Sequence, residues 1–479
     1  MATFHIENFG CRATQADAAA IERQLLDRGC ARSADAAHAD VVVVNTCTVT
    51  AAADAQARDA VRRIHRASPS ARILATGCYA QRAPEELAAL PGVEWVVGNS
   101  HQTEISRVIL PSGSQPGPQP GNAHAESEHF FPLAQLDGVP ASLERGPAKI
   151  LTGDIFALAD LAPENIQGGP ILGGEGARTR PILKIQDGCN NRCAYCVIPF
   201  VRGRSRSLAP ARVVDEIRRL TAAGAKEVVL SGINLGSYGR DLTPRAEFGD
   251  LLRRIVDETP VERLRLSSIE PMDVTQDFIE LLASSGRIAP HFHMPLQSAS
   301  DRILAAMHRW YRAAHYARRM ELIAERLPDA AIGADVIAGF PGETEEDHRR
   351  TLDFITALPF TYLHPFAFSK RPGTAGAALA DEVPLATIRR RSKELRALGA
   401  GKAAAFRAGQ AGKTQRVLTL DRSGGDAGGD RWTGALSGNY LNVRVAGRWP
   451  ANTWLEVRLT AAGEHLLGAQ LAAEEKQKM

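Results

Sequence analysis

Three cysteines in the run DGCNNRCAYCVIP, Cys189, Cys193 and Cys196, limit more than any other feature what this chain can fold into. They follow directly on the strand-like run PILKIQD, and that run opens a long alternation. Candidate strands PILKIQD, KEVVLSGI, RLRLSSI, HFHMPLQ, IGADVIAGF and YLHPFAF are separated by helix-like stretches such as APARVVDEIRRLTAAG and FGDLLRRIVDE. Six such units predict a partial (β/α)6 barrel rather than a flat sheet. A barrel of parallel strands carries its chemistry at the carboxyl ends of the strands, which is where this loop falls. Three thiolates from one loop can hold a cubic 4Fe-4S cluster and leave its fourth iron open to a small molecule. The amino and carboxylate groups of S-adenosylmethionine suit such an iron. A zinc loop is the alternative, but structural zinc takes four protein ligands, usually in paired C-x2-C units.

The 479 residues exceed what one core usually serves and suggest about three domains at roughly 150 residues each. Residues 1–110 alternate strand-like and helix-like runs (FHIENF, VVVVN, RILATG and WVVG, with helices between), which predicts a parallel α/β sheet. Residues 111–178 hold nine prolines and eleven glycines and read as an insert or linker with little regular structure. The (β/α)6 barrel is placed at 179–405. Residues 406–470 offer VLTL, WTGALS, LNVRV and WLEVRL between Gly-Asp-Ser turns, which predicts a small antiparallel β-barrel. No apolar run is long enough to span a bilayer, and nothing in MATFHIENFG marks export. A soluble, cytoplasmic protein with no membrane partner is expected, and seven cysteines are too few for a disulfide framework.

Cys11, Cys47 and Cys78 lie far apart in sequence, yet each stands just past a predicted parallel strand, in NFGC, VVVVNTC and ATGC. Ligands collect at the carboxyl edge of such a sheet. Three thiols on one edge suggest a second 4Fe-4S cluster; three buried cysteines acting as small hydrophobes are the plainer alternative. Cys30 follows a helix, off that edge, and is expected to be structural.

The loop resembles the signature of the radical S-adenosylmethionine superfamily, with Tyr195 as the aromatic residue before the last cysteine. That resemblance implies cofactor contacts at the strand ends: Gly232 in SGIN, Ser268 and Glu270 after the third strand, Gln297 after the fourth, and Asp335 in ADVIAGFPGE. NFGC, VVVVNTCTVT, ATGCYAQ, KIQDGCNNRCAYCVIPFVRGRSRS and PLQSASDRILAAMHR together resemble the methylthiotransferase family, whose terminal barrel is the RNA-gripping TRAM type. Membership would imply two 4Fe-4S clusters. The auxiliary one holds a sulfur species that one S-adenosylmethionine methylates, while a second S-adenosylmethionine is reductively cleaved to a 5'-deoxyadenosyl radical that activates a carbon-hydrogen bond. INLGSYGRDL and FAFSKRPGTA resemble the branch acting on N6-threonylcarbamoyladenosine beside the tRNA anticodon. Sister branches act on isopentenyladenosine in tRNA or on an aspartate of a ribosomal protein. Thr14 stands where the family usually has asparagine, and the insert is longer than the usual connector.

Expected partners are tRNA, a sulfur source and an electron donor such as flavodoxin or ferredoxin. For RNA phosphates the candidates are Arg202, Arg204 and Arg206 beside the radical loop, with Trp432, Tyr440 and Arg444 on the terminal barrel. Eight basic residues against three acidic ones between Lys402 and Pro450 suit a polyanion. The terminal barrel is thus expected to supply affinity and the radical barrel chemistry, so that a chain cut at 406 should still cleave S-adenosylmethionine. A reading of another class, an iron-sulfur RNA-binding protein without catalysis, would form no 5'-deoxyadenosine.

Overall fold

The computed structural model describes residues 2–110, 148–161, 179–425, 431–463 and 465–471. Six strands, β1 (Thr3–Asn8), β2 (Ala31–Arg32), β3 (Val41–Thr46), β4 (Arg72–Gly77), β5 (Val93–Gly98) and β6 (Lys149–Leu151), form one sheet in the order β2-β1-β3-β4-β5-β6. Every pairing in it is parallel. The valine run of β3 explains why both faces are covered. Val42 and Val44 pack with Val61 and Ile64 of helix α2 (Ala51–Ala67), while Val41 and Val43 pack with Ile21 and Leu25 of helix α1 (Arg12–Asp27). A strand apolar on both sides needs a layer on each. Within the segment expected to be an irregular insert, Lys149–Leu151 forms the edge strand β6; residues 111–147 and 162–178 lie outside the described residues.

All six strands expected for the central barrel are present. After β7 (Ile182–Lys184) comes a short antiparallel pair, β8 (Gln186–Asp187) and β9 (Arg206–Ser207), and then β10 (Glu227–Ser231), β11 (Arg263–Leu266), β12 (His291–His293), β13 (Ala331–Ala338) and β14 (Tyr362–Ala367). They form two parallel sheets, β11-β10-β7 and β12-β13-β14, joined where Ala289 N donates to Leu264 O at 2.8 Å and Ile269 N to His293 O at 3.0 Å. Alternation sorts the side chains: Leu183, Leu230, Leu264, Phe292 and Val336 belong to the apolar layer under the helices. Their neighbours Lys184, Arg265, His293 and Asp335 take the opposite, inner face. The lumen is therefore polar.

Four strands of the last unit are as expected, β15 (Thr414–Gly425), β16 (Arg431–Ser437), β17 (Asn442–Ala446) and β18 (Trp454–Ala462), and β19 (His465–Gln470) is a fifth that the sequence reading lacks. β19 pairs with both β17 and β18 and closes the barrel β15-β16-β17-β19-β18, which leaves no open edge. This barrel is bolted to the floor of the central one, where β11 and β12 begin. Arg265 donates to the carbonyls of Gly438 and Ser437, both at 2.9 Å, and Arg263 to that of Arg416 at 2.7 Å. Tyr440 stacks on His291 with ring centroids 4.4 Å apart. No described helix is long and apolar enough to cross a membrane.

Candidate functional site

Cys189, Cys193 and Cys196 sit in the loop after β8, as expected, with donors aimed at their sulfurs. The backbone N–H of Asn191 reaches Cys189 Sγ at 3.4 Å and Arg309 Nη1 reaches Cys193 Sγ at 3.4 Å. Burial pushes the Cys196 thiol up to about 12, and the neighbouring Cys193 and Cys189 add to the rise. Three thiols from one loop, with burial holding Cys189 and Cys196 in their neutral form, make a donor set whose thiolates a cationic metal centre would stabilise. The site fits an iron-sulfur cluster on this ground. A cleft of about 600 Å³, bordered by Cys193, Cys196, Arg192, Phe200 and His308, opens beside the loop.

The second trio also converges. Cys11 follows β1, Cys47 follows β3 and Cys78 follows β4. Gly10, at φ +107, packs so tightly on Cys47 that a Cβ there would lie 2.6 Å from the Cys47 Cβ and 3.1 Å from its sulfur. Gly77, at φ +96, brings its chain against Thr46 O in the same way. Both positions demand glycine, and together they draw the three loops to one edge. The Cys47 thiol is pushed up to about 12, first by burial and then by Cys78 and Cys11. Asn99 Nδ2 lies 3.5 Å from Cys78 Sγ and also donates to Val201 O at 2.8 Å. The two trios share a wall, because Cys78 packs against Val197 and Val201, in the segment directly after Cys196. Cys30 is buried in the apolar layer with Ile21 and Leu25, away from both.

An ion quartet locks this arrangement. Lys184 Nζ reaches Asp17 Oδ1 at 2.5 Å and Asp187 Oδ2 at 2.8 Å, while Arg202 reaches Asp17 Oδ2 at 2.6 Å and Asp187 Oδ1 at 3.0 Å. Asp17 belongs to α1 and the other three to the central barrel. Here the structure corrects the RNA assignment. Arg202 is 1% exposed and Arg206, whose Nη2 donates to Arg202 O, is 6% exposed, so neither faces solvent. Removing one member of a pair so buried costs about 3–5 kcal/mol, which leaves no guanidinium free for phosphate. Arg204 alone of the three is exposed. On the terminal barrel, Arg444 lies over the Trp432 ring at 4.6 Å, with Arg422 at 5.8 Å from the same ring.

The strand-end residues separate into two groups. Gly232 stands directly after β10, Ser268 two residues after β11 and Gln297 four residues after β12, with Gln297 at φ +63 and bridged to Val336. Tyr195 packs in the small cluster with Ile303 and Phe340. Glu270 and Asp335 are engaged elsewhere. Glu270 accepts both guanidinium ends of Arg309, so its carboxylate reaches the cluster loop through Arg309. Asp335 lies three residues below the end of β13, where His293 Nε2 is 3.0 Å and His364 Nδ1 3.4 Å from its Oδ1. Burial would raise the Asp335 carboxyl, but hydrogen bonds from the two histidines hold it well below the usual range.

Four residues escaped sequence reasoning: Arg309, Asn99, Arg371 and Arg12. Arg371, in SKRPGTA, donates to Asp54 Oδ2 at 2.8 Å and to Thr48 O at 3.2 Å, clamping the loop that carries Cys47. Each meets a partner tens or hundreds of residues away, a pairing for which the chain carries no local signal.

Residues 183–355 match the model of the radical SAM superfamily and residues 3–98 that of the uncharacterized protein family UPF0004. The chain is 34% identical to the threonylcarbamoyladenosine tRNA methylthiotransferase MtaB of Aquifex aeolicus, over 92% of this chain and 96% of that protein. To the Bacillus subtilis protein of the same name it is 36% identical, over 80% and 77%. To a tRNA-2-methylthio-N(6)-dimethylallyladenosine synthase of Syntrophobacter fumaroxidans it is 32% identical, over 98% and 96%. Among solved structures, the radical S-adenosylmethionine methyltransferase TsrM of Kitasatospora setae has the same fold over 78% of this chain and 75% of its own, with a TM-score of 0.53 at 18% identity.

Proposed function

Because the chain belongs to the radical S-adenosylmethionine methylthiotransferase family, we propose that it inserts a methylthio group at C2 of N6-threonylcarbamoyladenosine at position 37 of tRNA. It is an enzyme of the radical type that uses a 4Fe-4S cluster and S-adenosylmethionine. The observation that carries the reading is the pairing of two thiol trios across one wall, Cys189, Cys193 and Cys196 on one side and Cys11, Cys47 and Cys78 on the other. Cys189, Cys193 and Cys196 would hold a cluster able to supply an electron to S-adenosylmethionine, and Cys11, Cys47 and Cys78 one that would offer a seat for sulfur. The protein's own part is positional. Arg309, fixed by Glu270, holds a positive charge against Cys193, and Gly232, Ser268 and Gln297 offer the strand-end contacts for the cofactor. The threonylcarbamoyl substrate is favoured by the resemblance of INLGSYGRDL and FAFSKRPGTA to that branch and by the names of the relatives from Aquifex and Bacillus. Mass spectrometry of tRNA nucleosides from cells with and without the protein tests it: the 2-methylthio derivative should disappear with the protein, and its persistence would end the reading.

Anaerobically reconstituted protein should carry about eight irons per chain, four per cluster. Changing Cys189, Cys193 and Cys196 together to alanine should bring that to about four. A fully reconstituted unmutated chain with only four irons would remove the second cluster.

For RNA affinity, Arg444 and the Trp432 ring beneath it are the proposed contact on the terminal barrel, with Arg204 beside the radical loop. Arg444→Ala should weaken tRNA binding and lower the slope of log affinity against log salt by roughly one, as expected when one phosphate contact is lost. An unchanged slope would take Arg444 out of the interface.

A further inference from the structure

Arg12 follows Cys11 directly, yet its side chain leaves the sheet edge and enters the lumen of the central barrel. Its Nη1 donates to Leu266 O at the end of β11 at 3.1 Å, and its guanidinium lies 5.4 Å from the centre of the Tyr440 ring. Tyr440 in turn packs near Tyr362 at 6.2 Å, and Tyr362 near His364 at 5.2 Å. One polar surface therefore runs from the second thiol trio into the lumen.

Its charge is unbalanced. Glu227 is the one carboxylate paired with Arg180, Arg263 and Arg265, and among the described residues no carboxylate is within ion-pair reach of Arg12. Burial would raise the Tyr440 phenol, but the charge of Arg12 and its hydrogen bond to the phenol, with Arg180 and Arg265 beyond, pull it below its ordinary value; that neutral partner leaves the Arg12 charge unbalanced. A half-buried guanidinium without a counter-charge is costly, and an anionic ligand would offset that cost. His293, Asp335 and His364 are close enough to hold a cation, but the surrounding guanidinium groups disfavour a divalent ion there.

We propose that Arg12 forms an anion subsite that takes the carboxylate of the substrate's threonyl group while C2 of the adenine is held near Cys11. The inference rests on the threonylcarbamoyl reading and explains how the site tells that substrate from its sister. An isopentenyl group has no charge to offer Arg12, and a site built for a charged partner rejects an apolar one strongly.

The test uses reconstituted enzyme and anticodon stem-loop RNAs bearing N6-threonylcarbamoyladenosine, its methyl ester, or isopentenyladenosine. Arg12→Gln should weaken binding of the acid RNA, read by fluorescence anisotropy, by about tenfold or more, the scale of one charge-assisted hydrogen bond. Arg12→Lys should recover part of it. Wild-type enzyme should bind the ester as weakly as Arg12→Gln binds the acid, and Arg12→Gln should lose nothing more on the ester. Iron content near wild type controls for folding beside Cys11. If Arg12→Gln lowers acid and ester alike, or neither, while the wild type still modifies the acid RNA, the subsite alone is overturned. If the wild type modifies only the isopentenyl RNA, the substrate reading falls and the subsite with it.

Discussion

Replacing Cys47 by alanine should leave reductive cleavage of S-adenosylmethionine running while methylthiolated RNA falls below detection. Cys47 is 6% exposed and lies against Gly10, so the substitution removes one sulfur atom and leaves the tight Gly10 approach in place. The proposed cofactor contacts Gly232, Ser268 and Gln297, and the loop from Cys189 to Cys196, all lie in the central barrel and keep their partners. The variant should therefore form 5'-deoxyadenosine with dithionite under anaerobic conditions. What it loses is a ligand of the proposed second cluster, and with it the seat for sulfur. Both products are measured in one assay, 5'-deoxyadenosine and the 2-methylthio nucleoside. Normal methylthiolation by Cys47→Ala would show that the Cys11, Cys47 and Cys78 trio is not the sulfur site, and loss of both products would mean that the two trios do not act separately.

The two trios differ in how far sequence alone could reach them. Cys189, Cys193 and Cys196 lie within eight residues, so spacing identifies them. Cys11, Cys47 and Cys78 are recognisable only because each ends a predicted parallel strand, and parallel strands bring their ends together without any local motif. Charged residues gave the opposite result. VRGRSRS reads as a basic loop, yet Arg202 is drawn inside by Asp187 and by Asp17, 185 residues away, and Arg206 follows it by donating to Arg202 O. Side-chain type indicates charge but not its partner, and a buried ion pair is invisible until the fold has been closed. The same holds for Asp335, whose place in ADVIAGFPGE suggested the strand end. The period of two along β13 points it into the lumen, where only the structure supplies His293 and His364. The fifth strand of the terminal barrel, HLLGAQ, was missed for a plainer reason: two leucines beside a glycine and alanine make a weak strand signal, and it is pairing on both sides that holds it.

Deleting residues 406–479 should damage the central barrel as well as RNA binding, contrary to the division of labour that the sequence suggested. The last barrel supplies carbonyl acceptors to Arg263 and Arg265, with Arg263 also reaching Leu436 O at 3.3 Å. It stacks Tyr440 on His291, and Arg263 lies 4.4 Å from the Trp454 ring. Each hydrogen bond from a charged group contributes about 1.5–3 kcal/mol. Water would replace part of that when the floor is uncovered, so a net loss on the order of several kcal/mol is expected, a large share of the 5–15 kcal/mol typical of a folded domain. The melting temperature should fall by about 10 °C or more, given roughly 2–4 °C per kcal/mol for a unit of this size. Formation of 5'-deoxyadenosine should fall with it, because the lumen floor carries His291 and Arg265 next to the strands that end at the cofactor site. Arg444→Ala provides the contrast: it should weaken tRNA binding with a much smaller fall in melting temperature than the truncation, since Arg263, Arg265 and His291 keep their partners on the terminal barrel. Calorimetry and 5'-deoxyadenosine formation on the truncated and point variants decide the matter. A truncated chain with unchanged melting temperature and cleavage rate would mean that the terminal barrel only grips RNA and plays no part in holding the lumen.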